Sequence, residues 1–290
     1  MWGNERDRGV VSIPQYAVFG QPIAHSLSPR IHAMFGAELG IALDYRAIEA
    51  SRDDFARVLE AFARDGGRGA NVTLPLKEDA LSLCVDLSQR ARRCGSVNTV
   101  IRRGENWRGD STDGIGLLRD LHERFAFDPA GRSCLLIGAG GAARAVAFAL
   151  ADAGAGRLTI ANRTHERAVA LAAAVGAAPS VEAIAWHDLA TADAFDLVVH
   201  ATAAGHVDAT LDLPRNLVSG ETLAYDLSYG RAATAFLAWA QASGTARAAD
   251  GLGMLIEQAA ESFAIWHGLM PDTMPVYDEM RALLAASGIS

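Results

Sequence analysis

Short hydrophobic runs alternate with longer amphipathic segments over the first part of the chain. The run Tyr16–Gly20 contains tyrosine, valine and phenylalanine, which predicts a β-strand. Ser28 and Pro29 predict the start of a helix, because serine is a favoured N-cap and proline fits the first helical turn. Gly40 is placed to end that helix. The chain is therefore expected to open with a strand followed by a helix.

The alternation continues to residue 113. Further strands are predicted at Leu43–Ile48, Asn71–Leu74 and Ser96–Arg102, with a helix at Arg52–Arg64 and helical stretches up to about Arg93. Strands that alternate with helices in this way are typical of an α/β domain. Residues 1–14 lack such periodicity, so we expect them to form a flexible extension.

A second series of strands and helices begins near Arg132. Its first strand, Ser133–Ile137, is largely apolar, as expected of a strand that is covered on both faces. The later predicted elements are helix Gly141–Ala153, strand Leu158–Ala161, helix Glu166–Val175, strands Phe195–His200 and Thr222–Asp226, helix Ala233–Ala242, and helices near Met254–Trp266 and Thr273–Ala286. The pattern predicts a second α/β unit that is followed by two helices.

A glycine-rich turn follows the first strand of this second series. The letters GAGGAA at residues 138–143 have the form G-x-G-x-x-A, which by itself could be an ordinary turn. Here a buried strand precedes it and a helix follows, as a dinucleotide site requires. Gly138 can make the tight turn, Gly140 leaves room for the pyrophosphate, and Ala143 lets the helix pack closely. We expect Gly141 and Ala142 to complete this site at the helix N-terminus.

The residues after the next strand favour NADP over NAD. NAD sites place an acid there to bind the ribose 2′-hydroxyl, whereas this chain has Asn162, Arg163 and Thr164, with Arg167 four residues after Arg163. The two arginines can surround a 2′-phosphate and Thr164 can add a hydroxyl. The alternative is that both arginines are solvated at the start of a surface helix.

Composition limits the remaining classes of function. At about 150 residues per domain, 290 residues suggest two domains. A net charge of −8 argues against non-specific binding to nucleic acid or to an anionic membrane. Cys84, Cys94 and Cys134 form no C-x-x-C pair, and no Cys/His cluster suggests a metal. With no signal segment and no membrane-length apolar run, a cytoplasmic location is expected.

Five polar motifs lie outside the glycine-rich turn. They are HSLSP at residues 25–29, NVTLPLK at 71–77, VNT at 97–99, TDG at 112–114 and DGLGMLIEQA at 250–259. Each has a structural explanation on its own, such as helix capping by the serines. Lys77 and Asp113 differ as a pair, because both are predicted at strand-to-helix junctions, where α/β sheets open their ligand crevice.

Taken together, these motifs and the NRTxxR stretch at residues 162–167 resemble the shikimate dehydrogenase family, from Tyr16 to about Pro275. The resemblance implies that the protein interconverts 3-dehydroshikimate and shikimate by hydride transfer with NADP. These small molecules would bind in a cleft between two α/β domains. The substrate domain would comprise residues 1–113, completed by helices in 251–290. Residues 114–250 would form a Rossmann-like NADP domain.

The resemblance also implies roles for individual residues. Lys77 would donate a proton to the reacting oxygen or stabilise its negative charge, and Asp113 would orient the Lys77 side chain. The implied substrate-binding residues are Ser26, Ser28, Thr73, Asn98, Tyr229 and Gln258, and Thr202 and Gly251 would join the cofactor site.

Three positions depart from the commonest family pattern, namely Ser111, Ala143 and His200. We expect His200 to be a buried strand-end residue bonded to backbone rather than a catalytic one. A quinate or aminoshikimate dehydrogenase of the same family is an alternative, and so is a non-catalytic NADP-binding regulator. Retention of both Lys77 and Asp113 argues against the regulator. The sequence leaves open whether the protein is a monomer or a homodimer.

Overall fold

The computed structural model describes residues 13–176, 180–202 and 212–286, which form two six-stranded sheets with helices packed against them. The predicted N-terminal extension, residues 1–14, lies almost entirely outside the described residues. The described part of the chain thus contains both α/β units that the hydrophobic pattern predicts.

The first sheet mixes parallel and antiparallel strands. Its strands are β1 (Gln15–Gly20), β2 (Asp44–Glu49), β3 (Gly67–Val72), β4 (Asp86–Leu87), β5 (Thr99–Arg103) and β6 (Asn106–Asp110). They lie in the order β2-β1-β3-β5-β6-β4, with β1 parallel to β2 and β3, and β5 antiparallel to β3 and β6. The strand predicted at Asn71–Leu74 is misplaced, because β3 already ends at Val72.

Four helices accompany this sheet, namely α1 (Ser28–Leu39), α2 (Phe55–Arg64), α3 (Lys77–Leu83) and α4 (Gln89–Cys94). A fifth helix, α5 (Asp113–Phe125), follows β6 and packs Leu117 and Leu121 into the core of the second sheet. Pro29 lies in the first turn of α1 and Gly40 ends it with a left-handed φ of 66°, as predicted. The capping prediction is wrong, because Leu27 occupies the N-cap position and makes no side-chain hydrogen bond there. The hydroxyl of Ser28 therefore does not cap α1.

The second sheet is wholly parallel. Its strands are β7 (Ser133–Ile137), β8 (Arg157–Ala161), β9 (Ser180–Ile184), β10 (Leu197–His200), β11 (Leu223–Asp226) and β12 (Arg247–Ala249). They lie in the order β12-β11-β10-β7-β8-β9. Counted from β7 as the first strand, this is the 3-2-1-4-5-6 order of a dinucleotide-binding Rossmann sheet, which opens its crevice between β7 and β10.

The last helices of the chain return to the first sheet. Helices α6 (Gly141–Asp152), α7 (His165–Val175) and α8 (Thr234–Ala242) follow strands of the second sheet, and α9 (Leu252–His267) and α10 (Met274–Ala286) end the described chain. Buried residues of α9 and α10 share one hydrophobic core with Ile31 and Phe35 of α1. The C-terminal helices therefore pack with the N-terminal part of the chain.

Helices α4 and α6 connect the two units on one side of the cleft. Arg144 Nε donates a hydrogen bond of 2.6 Å to the Cys94 carbonyl at the end of α4. Arg93 and Asp152 form a two-point ion pair with distances of 2.7 and 2.9 Å. These contacts set the distance between the glycine-rich turn and the first sheet. None of the described helices is long and apolar enough to span a bilayer.

Candidate active site

Lys77 and Asp113 meet between the two units. Helix α3 begins at Lys77 soon after β3, and α5 begins at Asp113 soon after β6. Lys77 Nζ lies 2.5 Å from Asp113 Oδ2, and the two side chains are only 16% and 5% exposed. The two residues are 36 positions apart in the sequence, yet they form a nearly buried ion pair in the structure. Such a pair can supply a proton or a positive charge to an oxygen beside it.

Asn98 holds the second oxygen of the same carboxylate. Its Nδ2 donates to Asp113 Oδ1 at 3.0 Å and to Gln258 Oε1 at 3.1 Å. Its Oδ1 accepts the Thr112 backbone N–H at 2.7 Å. Because a backbone N–H can only donate, the amide oxygen must face Thr112 and the amide nitrogen must face Asp113. Asp113 is therefore fixed from both sides, by Lys77 and by Asn98.

The same hydrogen bonds determine what Gln258 offers to a ligand. Its Oε1 accepts from Asn98, and its Nε2 donates to the Leu255 carbonyl at 2.7 Å. An amide nitrogen carries two protons, so one N–H of Gln258 is left to donate elsewhere. A substrate hydroxyl beside Gln258 would therefore accept this N–H through the hydroxyl oxygen.

A second layer of buried polar groups supports these residues. Asn71 Nδ2 donates to Ser262 Oγ at 2.9 Å, and Ser262 Oγ lies 2.8 Å from Thr99 Oγ1. Tyr45 donates its hydroxyl proton to Asn71 Oδ1 at 2.7 Å. Sequence reasoning missed Ser262 and Tyr45 as site residues. The position of Ser262, one helical turn after Gln258 on α9, is a signal that could have identified it.

The two N-terminal serines lie beside Tyr229. Ser26 Oγ accepts the Ser28 backbone N–H at 3.3 Å, and Ser28 is 5% exposed. Burial raises the pKa of Tyr229, whose hydroxyl interacts with the backbone of Leu27, between the two serines. Thr73 directly follows β3, which ends at Val72. Because β3 is parallel to β1, Thr73 lies at the same end of the first sheet as the segment that follows β1 and contains the two serines. The structure thus brings Tyr229, from the far part of the sequence, to the serines of the first motif.

The glycine-rich turn has the shape that a dinucleotide phosphate requires. Gly138 has a left-handed φ of 129°, and a Cβ there would lie 2.6 Å from the Ala201 carbonyl oxygen. Gly140 precedes α6, and the space where its Cβ would lie is open. Ala143 is fully buried, so the helix packs closely on the sheet. Open space at the helix N-terminus and its free N–H groups fit an anionic phosphate.

Gly141 connects this turn with the first unit. A Cβ at Gly141 would lie 2.9 Å from Ser96 Oγ and 3.1 Å from Lys77 Cβ. The start of α6 is therefore pressed against the base of the Lys77 side chain, with Ala142 next along the helix. A phosphate bound at this helix end and a substrate bound at Lys77 would be neighbours.

The predicted 2′-phosphate residues lie together at the end of β8. Asn162 Nδ2 donates to the Thr164 carbonyl at 2.9 Å, which fixes the turn into α7. Arg163, Thr164 and Arg167 are exposed. Since β8 is the neighbour of β7, these side chains stand beside the glycine-rich turn, where the adenosine half of a dinucleotide lies in such a sheet.

His200 is bound differently from the prediction. It lies opposite Asp226 in the β10–β11 register, with Nδ1 3.0 Å from Asp226 Oδ2 and Nε2 2.7 Å from Thr202 Oγ1. The prediction of a bond to backbone is wrong, because the strand pairing places a carboxylate beside the ring. Residues 203–211, which follow Thr202 along the chain, lie outside the described residues.

Gly251 permits a close approach of two chain segments. A Cβ at Gly251 would collide with the Leu227 carbonyl, and the Gly251 N–H donates to the Ser228 carbonyl at 2.8 Å. Helix α9 can therefore begin directly against the end of β11. This brings Gly251 to the same edge of the second sheet as Thr202.

Known proteins share this arrangement along nearly the whole chain. Family models match in three segments: the shikimate dehydrogenase substrate binding domain over residues 18–100, shikimate / quinate 5-dehydrogenase over 121–231, and the shikimate 5′-dehydrogenase C-terminal domain over 251–284. The chain belongs to the shikimate dehydrogenase family. The resemblance inferred from the motifs is thereby confirmed, and so is the α/β fold with a Rossmann-like sheet.

Individual known proteins match this chain over almost their full lengths. A shikimate dehydrogenase (NADP(+)) of Stenotrophomonas maltophilia is 56% identical over 268 residues, which is 92% of this chain and 95% of the relative. The structure of an Ael1 enzyme from Pseudomonas putida matches with a TM-score of 0.85 and 40% identity, over 92% of this chain and 97% of that one. A Thermus thermophilus shikimate 5-dehydrogenase, in complex with NADP(H) and shikimate, matches with a TM-score of 0.81 and 37% identity, over 93% and 99%.

Proposed function

We propose that this chain is an NADP-dependent shikimate dehydrogenase, which reversibly reduces 3-dehydroshikimate to shikimate. The observation that carries the proposal is the Lys77–Asp113 pair, nearly buried and pressed against Gly141 of the glycine-rich turn. A proton donor at Lys77 would lie between the turn that would bind the cofactor and the space that would bind the substrate, which supports the proposal. Relatives named shikimate dehydrogenase (NADP(+)), and a neighbour solved with both ligands, support the choice of substrate and cofactor.

The chemistry assigned to the chain's own residues is proton transfer. When bound, NADPH supplies the hydride to the ring carbonyl carbon. The carbonyl oxygen then gains negative charge, and Lys77 Nζ donates a proton to it or stabilises it as a cation. Asp113 holds the ammonium in place at 2.5 Å, and Asn98 holds Asp113. In the oxidation of shikimate, Lys77 takes up the hydroxyl proton.

Substrate binding is assigned to the polar residues around this pair. Ser26 and Ser28 would hold the carboxylate through their hydroxyls, with Tyr229 beside them. Gln258 would donate its remaining amide N–H to a ring hydroxyl, while Thr73 and Asn98 border the same space. Two small hydroxyl residues suit a planar carboxylate on an sp² carbon, so we expect shikimate to be preferred over quinate.

Cofactor binding is assigned to the crevice of the second sheet. Gly138, Gly140, Gly141, Ala142 and Ala143 would place the pyrophosphate at the start of α6, where helix N–H groups attract anions. Beyond this turn, the 2′-phosphate would be bound by the group Asn162, Arg163, Thr164 and Arg167, and the nicotinamide half would lie near Thr202 and Gly251.

The domain boundaries that we propose are those that the family resemblance implies, and the packing of the C-terminal helices supports them. Residues 1–113, with the helices in 251–290, would form the substrate domain, since α1, α9 and α10 share one core. Residues 114–250 would form the NADP domain around the parallel sheet. We also propose a cytoplasmic location, because Cys84, Cys94 and Cys134 are free thiols, which a reducing compartment maintains.

The direct test is to incubate the purified protein with shikimate and NADP⁺ and to follow the absorbance of the reduced cofactor. We expect the signal to rise with shikimate, more slowly with quinate, and much more slowly with NAD⁺ in place of NADP⁺. Faster turnover of quinate or of aminoshikimate than of shikimate would identify the protein as a quinate or aminoshikimate dehydrogenase of the same family. Binding of NADP⁺ without turnover of any of these substrates would identify a non-catalytic regulator.

A further inference from the structure

One residue in each of three sequence motifs was given no role by the family resemblance. They are Asn71 of the NVTLPLK motif, Thr99 of the VNT motif and Thr112 of the TDG motif, and all three are buried. In the structure their side chains meet at the hydroxyl of Ser262 on α9, which is itself fully buried. Residues from three separate segments of the chain thus converge on one position of a C-terminal helix.

The orientation of the Asn71 amide follows from its partners on two sides. Burial raises the pKa of Tyr45 well above its ordinary value, so the phenol keeps its proton and donates it to Asn71 Oδ1 at 2.7 Å. On the other side, Asn71 Nδ2 lies 3.3 Å from the Asn98 carbonyl oxygen, which can only accept. The amide nitrogen of Asn71 therefore faces Ser262 Oγ and donates to it at 2.9 Å.

The Ser262 hydroxyl uses all of its hydrogen-bonding capacity. It donates its proton to the Gln258 backbone carbonyl, one turn earlier on α9, at 2.9 Å, because a carbonyl oxygen can only accept. Its two lone pairs accept from Asn71 at 2.9 Å and from Thr99 Oγ1 at 2.8 Å. Thr99 is the donor of the last bond, since the single proton of Ser262 is already used. Ser262 therefore ties α9 at Gln258 to strands β3 and β5.

The bond from Thr99 to Ser262 also affects Asn98. Thr99 Oγ1 lies 3.2 Å from Asn98 Oδ1, a longer contact than the 2.8 Å to Ser262. Asn98 Oδ1 accepts the Thr112 backbone N–H at 2.7 Å, while Asn98 Nδ2 donates to Asp113 Oδ1 at 3.0 Å. Without the Ser262 oxygen, the Thr99 proton would turn to Asn98 Oδ1 and draw that amide toward Thr99. The amide that holds Asp113 would then shift.

We propose that Ser262 is a positioning residue for the two amides assigned to the substrate site, Asn98 and Gln258. It holds the backbone of Gln258 directly and the side chain of Asn98 through Thr99. Asn98 in turn holds Asp113, so Ser262 acts on the catalytic pair from a fully buried position behind it. The inference deepens the proposed NADP-dependent function and rests on it.

Three single variants and one control separate this role from a purely structural one. Ser262→Ala removes the hydroxyl and favours the helix. Thr99→Val removes the donor on the other side of the same bond and keeps the branched shape. Gln258→Ala removes one of the two amides, and it is also combined with Ser262→Ala. The control is Thr222→Val, because Thr222 is a fully buried hydroxyl of the second unit that donates to the Phe195 carbonyl at 2.6 Å.

The experiment measures kcat and KM for shikimate at saturating NADP⁺, and the dissociation constant of NADP⁺ by calorimetry. A thermal melt of each variant shows that it is folded at the temperature of the assay. The melt reports a structural contribution of the hydroxyl, whereas the kinetic constants of the folded protein report its contribution to positioning.

We expect Ser262→Ala and Thr99→Val each to lower kcat/KM for shikimate by roughly 3- to 30-fold, the effect of one or two hydrogen bonds. Part of this loss should appear in kcat, because Asn98 also holds Asp113. The dissociation constant of NADP⁺ should stay within about 2-fold of that of the wild type.

The loss in the Ser262→Ala/Gln258→Ala double variant should be smaller than the product of the two single losses, because the two residues act on one group of contacts. Thr222→Val should lower the melting temperature and leave kcat, KM and NADP⁺ binding as in the wild type.

Wild-type kinetic constants in Ser262→Ala overturn the inference, even if the melting temperature falls, because the hydroxyl would then be purely structural. Single losses that multiply in the double variant also overturn it, and so does NADP⁺ binding weakened by as much as kcat/KM. If Ser262→Ala does not fold, Thr99→Val decides by the same kinetic comparison with the wild type. A wild-type protein that does not turn over shikimate with NADP⁺ would instead reject the proposed function itself.

Discussion

Lys77 reaches from the start of α3 to the start of α5, where its ammonium lies 2.5 Å from Asp113 Oδ2. Asn98 donates to the other oxygen of the same carboxylate at 3.0 Å. The ammonium therefore has a fixed position in a nearly buried environment, where its interaction with a developing negative charge is stronger than in water.

Replacement of Lys77 tests the catalytic assignment. A general acid or base contributes roughly 100- to 10,000-fold to the rate, so Lys77→Met should lower kcat by about that range. The KM for shikimate should stay within a few-fold, because the proposed contacts of Ser26 and Ser28 with the substrate carboxylate remain. Asp113→Asn should also lower kcat, and the double variant should be little worse than either single one, since the two act as a unit. Steady-state kinetics with shikimate and NADP⁺ measure all three.

Asp79 offers a matched control on the same helix as Lys77. It forms an ion pair of 3.1 Å with Arg52, and the two side chains are 33% and 52% exposed. Asp79→Asn removes a charge near Lys77 without touching the Lys77–Asp113 pair, so kcat should be unchanged. Near-wild-type kcat in Lys77→Met would show that Lys77 is not catalytic.

Arg163 and Arg167 provide a test of cofactor preference. Each charge-assisted contact to phosphate is worth about 1.5–3 kcal/mol, so two contacts allow a preference for NADP⁺ of roughly 100-fold or more. Arg163→Ala should lower kcat/KM for NADP⁺ much more than that for NAD⁺. Arg64→Ala, an exposed arginine at the end of α2, should alter neither value. Equal kcat/KM for the two cofactors in the wild type would contradict the assignment.

The two serines should affect binding and not chemistry. Ser26→Ala and Ser28→Ala should each raise the KM for shikimate with little change in kcat, by an amount that corresponds to about 1–3 kcal/mol for a hydrogen bond to a charged group. A structural role as the cap of α1 predicts instead a loss of about 1 kcal/mol of stability with unchanged KM. Thermal melts beside the kinetics distinguish the two outcomes, and the Leu27 N-cap without a side-chain bond favours the first.

His32 should make the protein sensitive to acid. Burial lowers its pKa to about 3, whereas an unfolded histidine has a pKa of about 6.5. Between these values the unfolded state binds one more proton than the folded state. Stability is therefore complete above pH 6.5 and falls as the pH drops toward 3, by up to about 1.4 kcal/mol per pH unit from this group.

Urea unfolding of a His32→Phe variant at several pH values between 4 and 7.5 measures this contribution. Phenylalanine can keep the stacking on Tyr45, whose ring centroid lies 4.2 Å from that of His32. The variant should lose stability less steeply on acidification than the wild type. His122→Gln, at a histidine whose side chain is 75% exposed, should leave the wild-type slope unchanged. Parallel slopes for the His32→Phe variant and the wild type would refute the explanation.

Hydrophobic pattern and turn residues predicted most elements of the parallel sheet. The bounds of strand β7 and the glycine that ends α1 were predicted correctly. A strand buried on both faces requires a run of apolar residues, and a left-handed helix end favours glycine, so both are visible in the sequence. Strand β6 was missed, since its sequence NWRGD contains three residues with low β propensity and is held by pairing with β5. Strands β9 and β12 were missed as well, and both are edge strands of their sheet.

Motifs also predicted which residues would meet, but not the bonds between them. The Lys77–Asp113 contact was anticipated from two strand-to-helix junctions. The role of Tyr45 depends on how β2 packs against Asn71, and no local pattern encodes that packing. Ser262 is different, because its position one helical turn after Gln258 is a local signal. The partner of His200 likewise depends on the register between β10 and β11, which places Asp226 opposite it.

The return of α9 to the first sheet has a consequence for biosynthesis. Gln258 contacts Asn98, although 160 positions separate them along the chain. A ribosome makes Lys77, Asp113 and the whole glycine-rich turn long before it makes α9. A nascent chain can therefore hold the glycine-rich turn and the Lys77–Asp113 pair while it still lacks Gln258, which we propose to bind the substrate. We expect products of translation that stop before α9 to be inactive.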